Sequence, residues 1–104
     1  MAVKVSIENF ENEVIKSEKP VLADFYSDSC IPCKMLSPVL SQIENKYQNK
    51  IKVAKINVNF NYELTEKYEV QAAPTLIFFV DGEETERLRG AVRQDEITSI
   101  IEKL

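Results

Sequence analysis

Residues 21 to 33 read Val21-Leu22-Ala23-Asp24-Phe25-Tyr26-Ser27-Asp28-Ser29-Cys30-Ile31-Pro32-Cys33. The first six are apolar apart from Asp24, which is typical of a strand buried on both faces. A helical pattern follows over residues 34–47, so the cysteines stand where a strand gives way to a helix. There, free backbone N–H groups and the helix dipole stabilise a thiolate, the nucleophilic form of cysteine. A second thiol, with two residues between it and the first, can close a disulfide and release what the first has attacked.

The length and composition predict one domain that spans residues 1–104. An apolar fraction of 44% is enough for a single core, and a chain of this size buries roughly two-thirds of its surface on folding. Thirteen Lys and Arg residues against seventeen Asp and Glu residues give a net charge of −4. We therefore expect no nucleic-acid partner, because no basic excess is present to neutralise phosphates.

The apolar segments are too short for a membrane protein. The longest clean apolar run, Leu76 to Val80, cannot span a bilayer. The N-terminus reads as a strand and lacks the apolar stretch of a signal peptide. We expect a cytoplasmic protein with no membrane partner, and in that reducing compartment a cysteine pair is more often reactive than structural. Since the chain has no histidine, any proton transfer must use a carboxylate, a lysine, a thiol or water.

Hydrophobic periodicity predicts five strands. The expected strands cover residues 3–7, 21–26, 51–58, 75–80 and 83–89. The dipeptide Asp81-Gly82 is typical of a tight turn and predicts that the last two strands form a hairpin. The highly charged strand 83–89 should lie at a solvated edge of the sheet.

Four helices are expected between and after these strands. Asn9 and Asn59 are placed to cap two short helices, the second running through Tyr68. Pro32 suits the first turn of the helix that follows the cysteines, and Pro38 falls inside that helix. The buried face of this helix is predicted to comprise Leu36, Val39, Leu40, Ile43 and Tyr47. The last helix carries an apolar stripe of Ile97, Ile100, Ile101 and Leu104.

The resulting order is β-α-β-α-β-α-β-β-α. A βαβ crossover followed by a hairpin and a helix implies an α/β protein with a mixed sheet and helices on both faces. The chain resembles the thioredoxin family over its whole length. The resemblance is carried by residues 21–26, by Cys30-Ile31-Pro32-Cys33-Lys34-Met35, and by Pro38, Lys55, Asn57, Ala73-Pro74-Thr75, Gly82 and Gly90. It implies the thioredoxin fold, a five-stranded mixed β-sheet flanked by four α-helices, and reversible dithiol–disulfide exchange with protein substrates.

The resemblance also implies roles for single residues. Cys30 matches the family's attacking thiol and Cys33 its buried resolving thiol. Pro74 matches a cis-proline beside the cysteines. Asp24 matches the family's buried carboxylate, and Lys55 matches the neighbour of that carboxylate.

Two departures fall inside the motif. The family usually has Trp-Cys-Gly-Pro-Cys, whereas this chain has Ser29-Cys30-Ile31-Pro32-Cys33. A large aromatic side chain is therefore missing before the first cysteine, and a bulky β-branched residue replaces glycine between the thiols. Both changes alter the surface that a partner protein touches.

The cysteine pair has two other interpretations. As a staple, a four-residue loop would contribute only about 2 kcal/mol by the chain-entropy relation. A metal site needs four ligands, which two cysteines without histidine cannot supply unless chains pair; we expect no metal. Redox exchange is the favoured interpretation. The helix dipole is worth at most about 2 kcal/mol, so strong activation of Cys30 needs a further hydrogen bond, from the Cys33 thiol or a backbone N–H.

Asp24 is an unusual residue for a buried strand, because an unpaired buried carboxylate is costly. It should have a raised pKa or a partner. The functional interpretation is a proton acceptor for Cys33 during resolution. The alternative is a structural polar group paired with Lys55, which in turn is often only a strand lysine with its ammonium in solvent. Pro74, likewise, could simply begin a strand. A cis bond at Pro74 would let the Ala73 backbone pair with an extended substrate.

The sequence thus predicts a protein-disulfide reductase that uses Cys30, Cys33 and Asp24, supported by Pro74, Lys55 and Pro32. The expected substrate groove comprises Ser29, Ile31, Ala73 and Gly90. The electrons travel in the Cys30–Cys33 disulfide, so no bound cofactor is expected. A thioredoxin-reductase-like donor would regenerate the dithiol, and the protein should be a monomer. The alternative is a non-catalytic binding module of the same fold, which the substitutions Ser29 and Ile31 leave open.

Overall fold

The computed structural model describes residues 2–104 and has a five-stranded sheet at its centre. The strands are β1 (Val3–Lys4), β2 (Val21–Tyr26), β3 (Lys52–Asn57), β4 (Thr75–Val80) and β5 (Glu83–Arg89). Their order in the sheet is β1-β3-β2-β4-β5, with β2 in the middle. Strand β2 runs parallel to β3 and antiparallel to β4. The sheet is therefore mixed, as the sequence predicted.

Four helices cover the sheet, which confirms the expected thioredoxin fold. They are α1 (Glu11–Ile15), α2 (Ile31–Lys46), α3 (Tyr62–Lys67) and α4 (Gln94–Glu102). Helix α1 is a π-type turn, in which the Lys16 N–H donates to the Glu11 carbonyl at 2.9 Å. The cysteine-bearing helix α2 begins at Ile31, three residues before the predicted start, with Pro32 in its first turn and Pro38 inside it.

Alternate residues of β2 enter two separate cores, because successive side chains of a strand point to opposite faces. Val21, Ala23 and Phe25 pack in one core with residues of α1 and α3. Leu22 packs in the other core, with residues of α2 and α4. Asp24 shares the face of Leu22 and therefore lies under α2, the helix that carries the cysteines.

Both asparagines expected as helix caps have other partners. Asn9 accepts a hydrogen bond from the Ser6 N–H at 2.7 Å and donates to the Lys4 carbonyl at 3.1 Å, so it ties the loop after β1. Asn59 is two residues too early, since α3 begins at Tyr62, and its amide oxygen binds residues 27 and 28 instead. Strand β1 also ends at Lys4, short of the predicted Ile7.

The predicted apolar stripes are confirmed except at Leu104. In α2, Leu36, Leu40 and Ile43 are buried, and Val39 and the C-cap residue Tyr47 are half-buried and pack against the same core. In α4, Ile97 and Ile101 are fully buried and Ile100 packs against this core, but Leu104 follows the helix and is 40% exposed. The last helix therefore buries a shorter stripe than the sequence pattern suggested.

Two glycines outside the helices adopt left-handed backbone conformations but differ in their surroundings. Gly82, in the β4–β5 turn, has φ +82°, and a Cβ there would lie 3.0 Å from the Ile15 carbonyl oxygen. Gly90 has φ +80°, and a Cβ there would meet nothing within 4 Å. Gly90 is therefore required only for its backbone conformation, whereas Gly82 is required for its conformation and for the close approach of Ile15.

We predict that Gly82→Ala lowers the free energy of unfolding more than Gly90→Ala does. Both changes force alanine into the left-handed region, at about 1–2 kcal/mol. Only Gly82→Ala also pushes the hairpin against Ile15, which adds about 1–3 kcal/mol. Urea unfolding of the two variants measures the difference. An equal decrease in the free energy of unfolding for both variants would show that the hairpin can move away from α1 without destabilising the protein.

Candidate active site

The two cysteines form a disulfide at the N-terminus of α2, with their Cα atoms 5.2 Å apart. Cys30 is the N-cap residue, and its Sγ accepts a hydrogen bond from the Cys33 N–H at 3.1 Å. The same sulfur lies 3.4 Å from the Ala73 carbonyl oxygen. The helix dipole and this N–H both favour negative charge on Cys30. The additional hydrogen bond that the sequence argument required is therefore supplied by the backbone.

The two sulfurs differ in accessibility. Cys33, in the first turn of α2, is only 6% exposed, whereas Cys30 is half-buried. Ile31 lies between them and is 68% exposed. An external disulfide can therefore approach Cys30 but not Cys33.

A depression of about 420 Å³ lies beside Cys30. Its lining includes Cys30, Ala73, Val58 and Thr65. The Ala73–Pro74 peptide bond is cis, in agreement with the family resemblance. The Gly90 N–H donates to the Pro74 carbonyl at 2.9 Å, which fixes the segment after β5 next to this depression.

The predicted groove residues therefore do not all play the same structural part. Ala73 lines the depression itself, and Gly90 is attached to its edge through Pro74. Ser29 is exposed on the loop before Cys30, with its hydroxyl 3.4 Å from that of Ser27. Ile31 projects from the outer surface of the first turn of α2.

Asp24 is a buried carboxylate, 1% exposed, under α2. Its Oδ1 has no hydrogen-bond partner among residues 2–104. Burial raises the pKa of Asp24 from its usual 3.8 to about 6, although the positive charge of Lys55 opposes the increase. A buried carboxyl group that titrates near neutral pH is suited to accepting and returning a proton.

Lys55 lies next to Asp24, directly opposite it in the parallel register of β2 and β3. Its ammonium nevertheless binds elsewhere: Nζ donates to the Ser37 hydroxyl at 3.3 Å and lies 5.1 Å from the centroid of the Tyr26 ring. Within the described chain, no ion pair of 4 Å or less joins Lys55 to Asp24. The structural alternative therefore finds no support in a direct ion pair with Lys55, although the charge of Lys55 still acts on Asp24.

The loop before Cys30 is braced by two asparagine side chains to which the sequence assigned no part in the site. Asn57 donates to both carboxylate oxygens of Asp28, at 3.2 and 3.1 Å. Asn59 accepts from the Ser27 hydroxyl at 3.2 Å and from the Asp28 N–H at 3.4 Å. Asn57 stands opposite Tyr26 in the β2–β3 register. Correct pairing of these two predicted strands is the one signal that could have placed Asn57 beside the loop before Cys30.

Two further features are absent from residues 2–104. No cluster of three or more His, Cys, Asp or Glu side chains in that range could hold a metal ion. No helix there is both long and apolar enough to cross a membrane.

A cysteine pair at a helix N-terminus, with one sulfur accessible and the other buried, defines a thiol–disulfide oxidoreductase. Comparison with known proteins agrees: the family model described as Thioredoxin matches residues 1–103. The chain belongs to the thioredoxin family. It reduces protein disulfides through the Cys30–Cys33 pair, and the family needs no bound cofactor.

Curated relatives cover nearly the whole chain. The thioredoxin of Rickettsia bellii is 37% identical over 97 residues, which are 93% of this chain and 92% of that protein. The thioredoxin of Pseudomonas aeruginosa is 37% identical over 100 residues, with 96% and 93% covered. Thioredoxin 1 of a Nostoc species is 36% identical over 102 residues, with 98% and 95% covered.

The raised pKa of Asp24 predicts a pH-dependent stability. Between the unfolded value of 3.8 and the folded value of about 6 the folded protein binds more protons, so the free energy of unfolding falls as pH rises through this window. The two pKa values imply a loss of about 3 kcal/mol by pH 8. Asp24→Asn should remove this loss, so the variant gains stability over the original protein as pH rises from 4 to 8.

Urea unfolding of the oxidised protein at a series of pH values measures this gain. Asp81→Asn is the matched control, because it removes an exposed carboxylate instead of a buried one. Parallel pH profiles for Asp24→Asn and the original protein would show that Asp24 is ionised at the same pH in the folded and unfolded states.

Proposed function

We propose that Cys30 is the attacking thiol and Cys33 the resolving thiol. The difference in exposure between the two sulfurs is the observation that carries this assignment. The Cys30 thiolate attacks one sulfur of a substrate disulfide, forms a mixed disulfide and releases one substrate thiolate. Cys33 then loses its proton and attacks Cys30 Sγ, which forms the Cys30–Cys33 disulfide and releases the second substrate thiolate. Two electrons pass to the substrate.

We propose further that Asp24 accepts the Cys33 proton, directly or through water. Its position under α2 and its pKa of about 6 support this role. Lys55 moderates the charge of Asp24. Pro32 supports the site because its fixed φ and missing N–H suit the first turn of α2, which starts the helix at the position where Cys30 becomes its cap.

The substrate segment is proposed to lie along the depression beside Cys30. An extended chain there can pair with the backbone of Ala73 in the manner of an added strand. Pro74 and Gly90 hold this edge, while Ser29 and Ile31 contact the substrate on either side of Cys30. Because Ile31 presents a large apolar surface where the family usually has glycine, this contact is a place where substrate preference can differ from that of relatives.

The partners follow from the chemistry. Each cycle leaves Cys30–Cys33 oxidised, so a separate thioredoxin-reductase-like donor must supply two electrons. We propose that the protein works as a monomer of one domain in the cytoplasm. The one-domain assignment is supported by the Cα radius of gyration of 12.3 Å, which is close to the ~13 Å expected for a compact domain of about 100 residues. The cytoplasm suits the activity because a reducing compartment keeps the pair available as a dithiol.

Single substitutions of the two cysteines test the assignment. Cys30→Ser should abolish reduction of a protein disulfide by a dithiol donor, because the nucleophile is gone. Cys33→Ser should accumulate a mixed disulfide between Cys30 and the substrate, which non-reducing electrophoresis and mass spectrometry detect. If Cys30→Ser retained substrate turnover, or if the trapped bond involved Cys33 in a Cys30→Ser background, the assignment would be reversed or lost.

Replacement of the carboxyl group tests the proton step. Asp24→Asn should slow release of the mixed disulfide near pH 7 by about tenfold or more, since a positioned proton acceptor typically contributes 10²–10⁴. Single-turnover kinetics with a fluorescent disulfide substrate separate formation of the mixed disulfide from its release. Only release should change. An unaltered release rate from pH 5 to 9 would exclude Asp24 as the acceptor.

A further inference from the structure

We propose that Ser37 is a positioning residue that holds the ammonium of Lys55 away from Asp24 and thereby sets how readily Asp24 exchanges protons with Cys33. This inference rests on the proposed role of Asp24 as proton acceptor. Neither the position of Ser37 in α2 nor the family resemblance assigned it a part in the chemistry. Ser37 is connected to the site by the hydrogen bond that its hydroxyl accepts from the Lys55 ammonium.

The geometry around Lys55 keeps its ammonium out of an ion pair of 4 Å or less with the carboxylate. Neighbouring strands lie about 4.8 Å apart, and Lys55 stands opposite Asp24 in the register, so its four-carbon side chain has the reach to make an ion pair. Instead, Nζ donates to the Ser37 hydroxyl at 3.3 Å and lies over the Tyr26 ring. These two groups retain the ammonium beyond ion-pair distance from Asp24.

The absence of a direct ion pair matters because a close opposite charge lowers a carboxyl pKa by about 1–3 units. An ammonium in direct contact would hold Asp24 ionised at neutral pH, as a poorer base. In the observed arrangement burial dominates and Lys55 offsets it only in part. The carboxyl group therefore remains able to change protonation state near neutral pH.

The other charged and titratable groups near this pair come from several elements. Helix α2 contributes Cys33, Lys34 and Glu44, and the preceding loop contributes Asp28. The residue opposite Asp24 on β4 is the apolar Leu76. Glu44 lines the same cavity as Lys55, so it is the other anion toward which the ammonium could turn.

Ser37 and Lys55 together separate two cavities. One cavity, of about 170 Å³, is lined by Cys33 and Tyr26, among others, and a larger one, of about 410 Å³, by Ser41 and Glu44. Ser37 and Lys55 are the two residues common to both linings. The hydroxyl–ammonium contact therefore lies at the boundary of the two cavities. Loss of the hydroxyl leaves the ammonium free to turn toward Asp24.

Carbon-detected NMR titration of the Asp24 carboxyl group in the oxidised protein tests this directly. Ser37→Ala should lower the Asp24 pKa by about one unit, the lower end of the effect of a close opposite charge. Alanine is a good helix former, so the fold should persist, and Ser37→Thr, which retains a hydroxyl, should restore the original value. Ser41→Ala is the matched control, since Ser41 lines the larger cavity from the next turn of α2. An unchanged pKa would overturn the proposal, and so would an increase, which would mean that Lys55 turns to Glu44.

A double-mutant cycle then asks whether Ser37 acts through Lys55. In a Lys55→Gln background, Ser37→Ala should no longer shift the Asp24 pKa, because the charge that it positions is absent. A shift of the same size in that background would overturn the proposal. The titration needs no turnover, so it reports on Ser37 even if Asp24→Asn were to leave the release rate unchanged. An unchanged release rate in Asp24→Asn would show that Asp24 is not the proton acceptor. It would leave intact the inference that Ser37 positions Lys55.

Discussion

The arrangement of the site depends on the burial of β2 on both faces. As the middle strand of the sheet, β2 must send its side chains alternately into two cores. The alternation that places Leu22 under α2 also places Asp24 there, two residues further along. The same strand ends at Tyr26, so the short connection that follows must deliver Cys30 to the start of α2. One buried strand therefore positions both the carboxylate and the thiol pair.

Much of the fold is predictable because it rests on local patterns. The bounds of β2, β4 and β5 agree with those expected from apolar runs and the Asp81-Gly82 turn. The asparagines show where local patterns end: Asn59 resembles a helix cap in sequence, yet its oxygen binds the Asp28 N–H, 31 residues away. A side-chain amide can satisfy its hydrogen bonds with any backbone that the fold brings near, and periodicity carries no information on that choice.

The residues of the site also fall into those that the sequence reveals and those that only the packed structure reveals. Cys30 and Cys33 are evident from their spacing, and Asp24 from its polarity within an apolar strand. The partner of Lys55 was not predictable, because it depends on how α2 is rotated above the sheet. In the sequence, Ser37 is an ordinary helix residue before Pro38. Only the packed structure shows that its hydroxyl meets an ammonium from β3.

Activation of Cys30 and burial of Asp24 have opposite effects on the stability of the protein. The Cys33 N–H and the dipole of α2 stabilise negative charge at Cys30 without any burial of an unpaired group. Asp24, in contrast, is destabilising at neutral pH because its charged form lies in a nearly dry environment. A direct ion pair with Lys55 would relieve this loss but would fix the carboxylate in one protonation state. With Lys55 held by Ser37 and Tyr26, the loss remains, and so does the ability of the carboxyl group to take up a proton and release it.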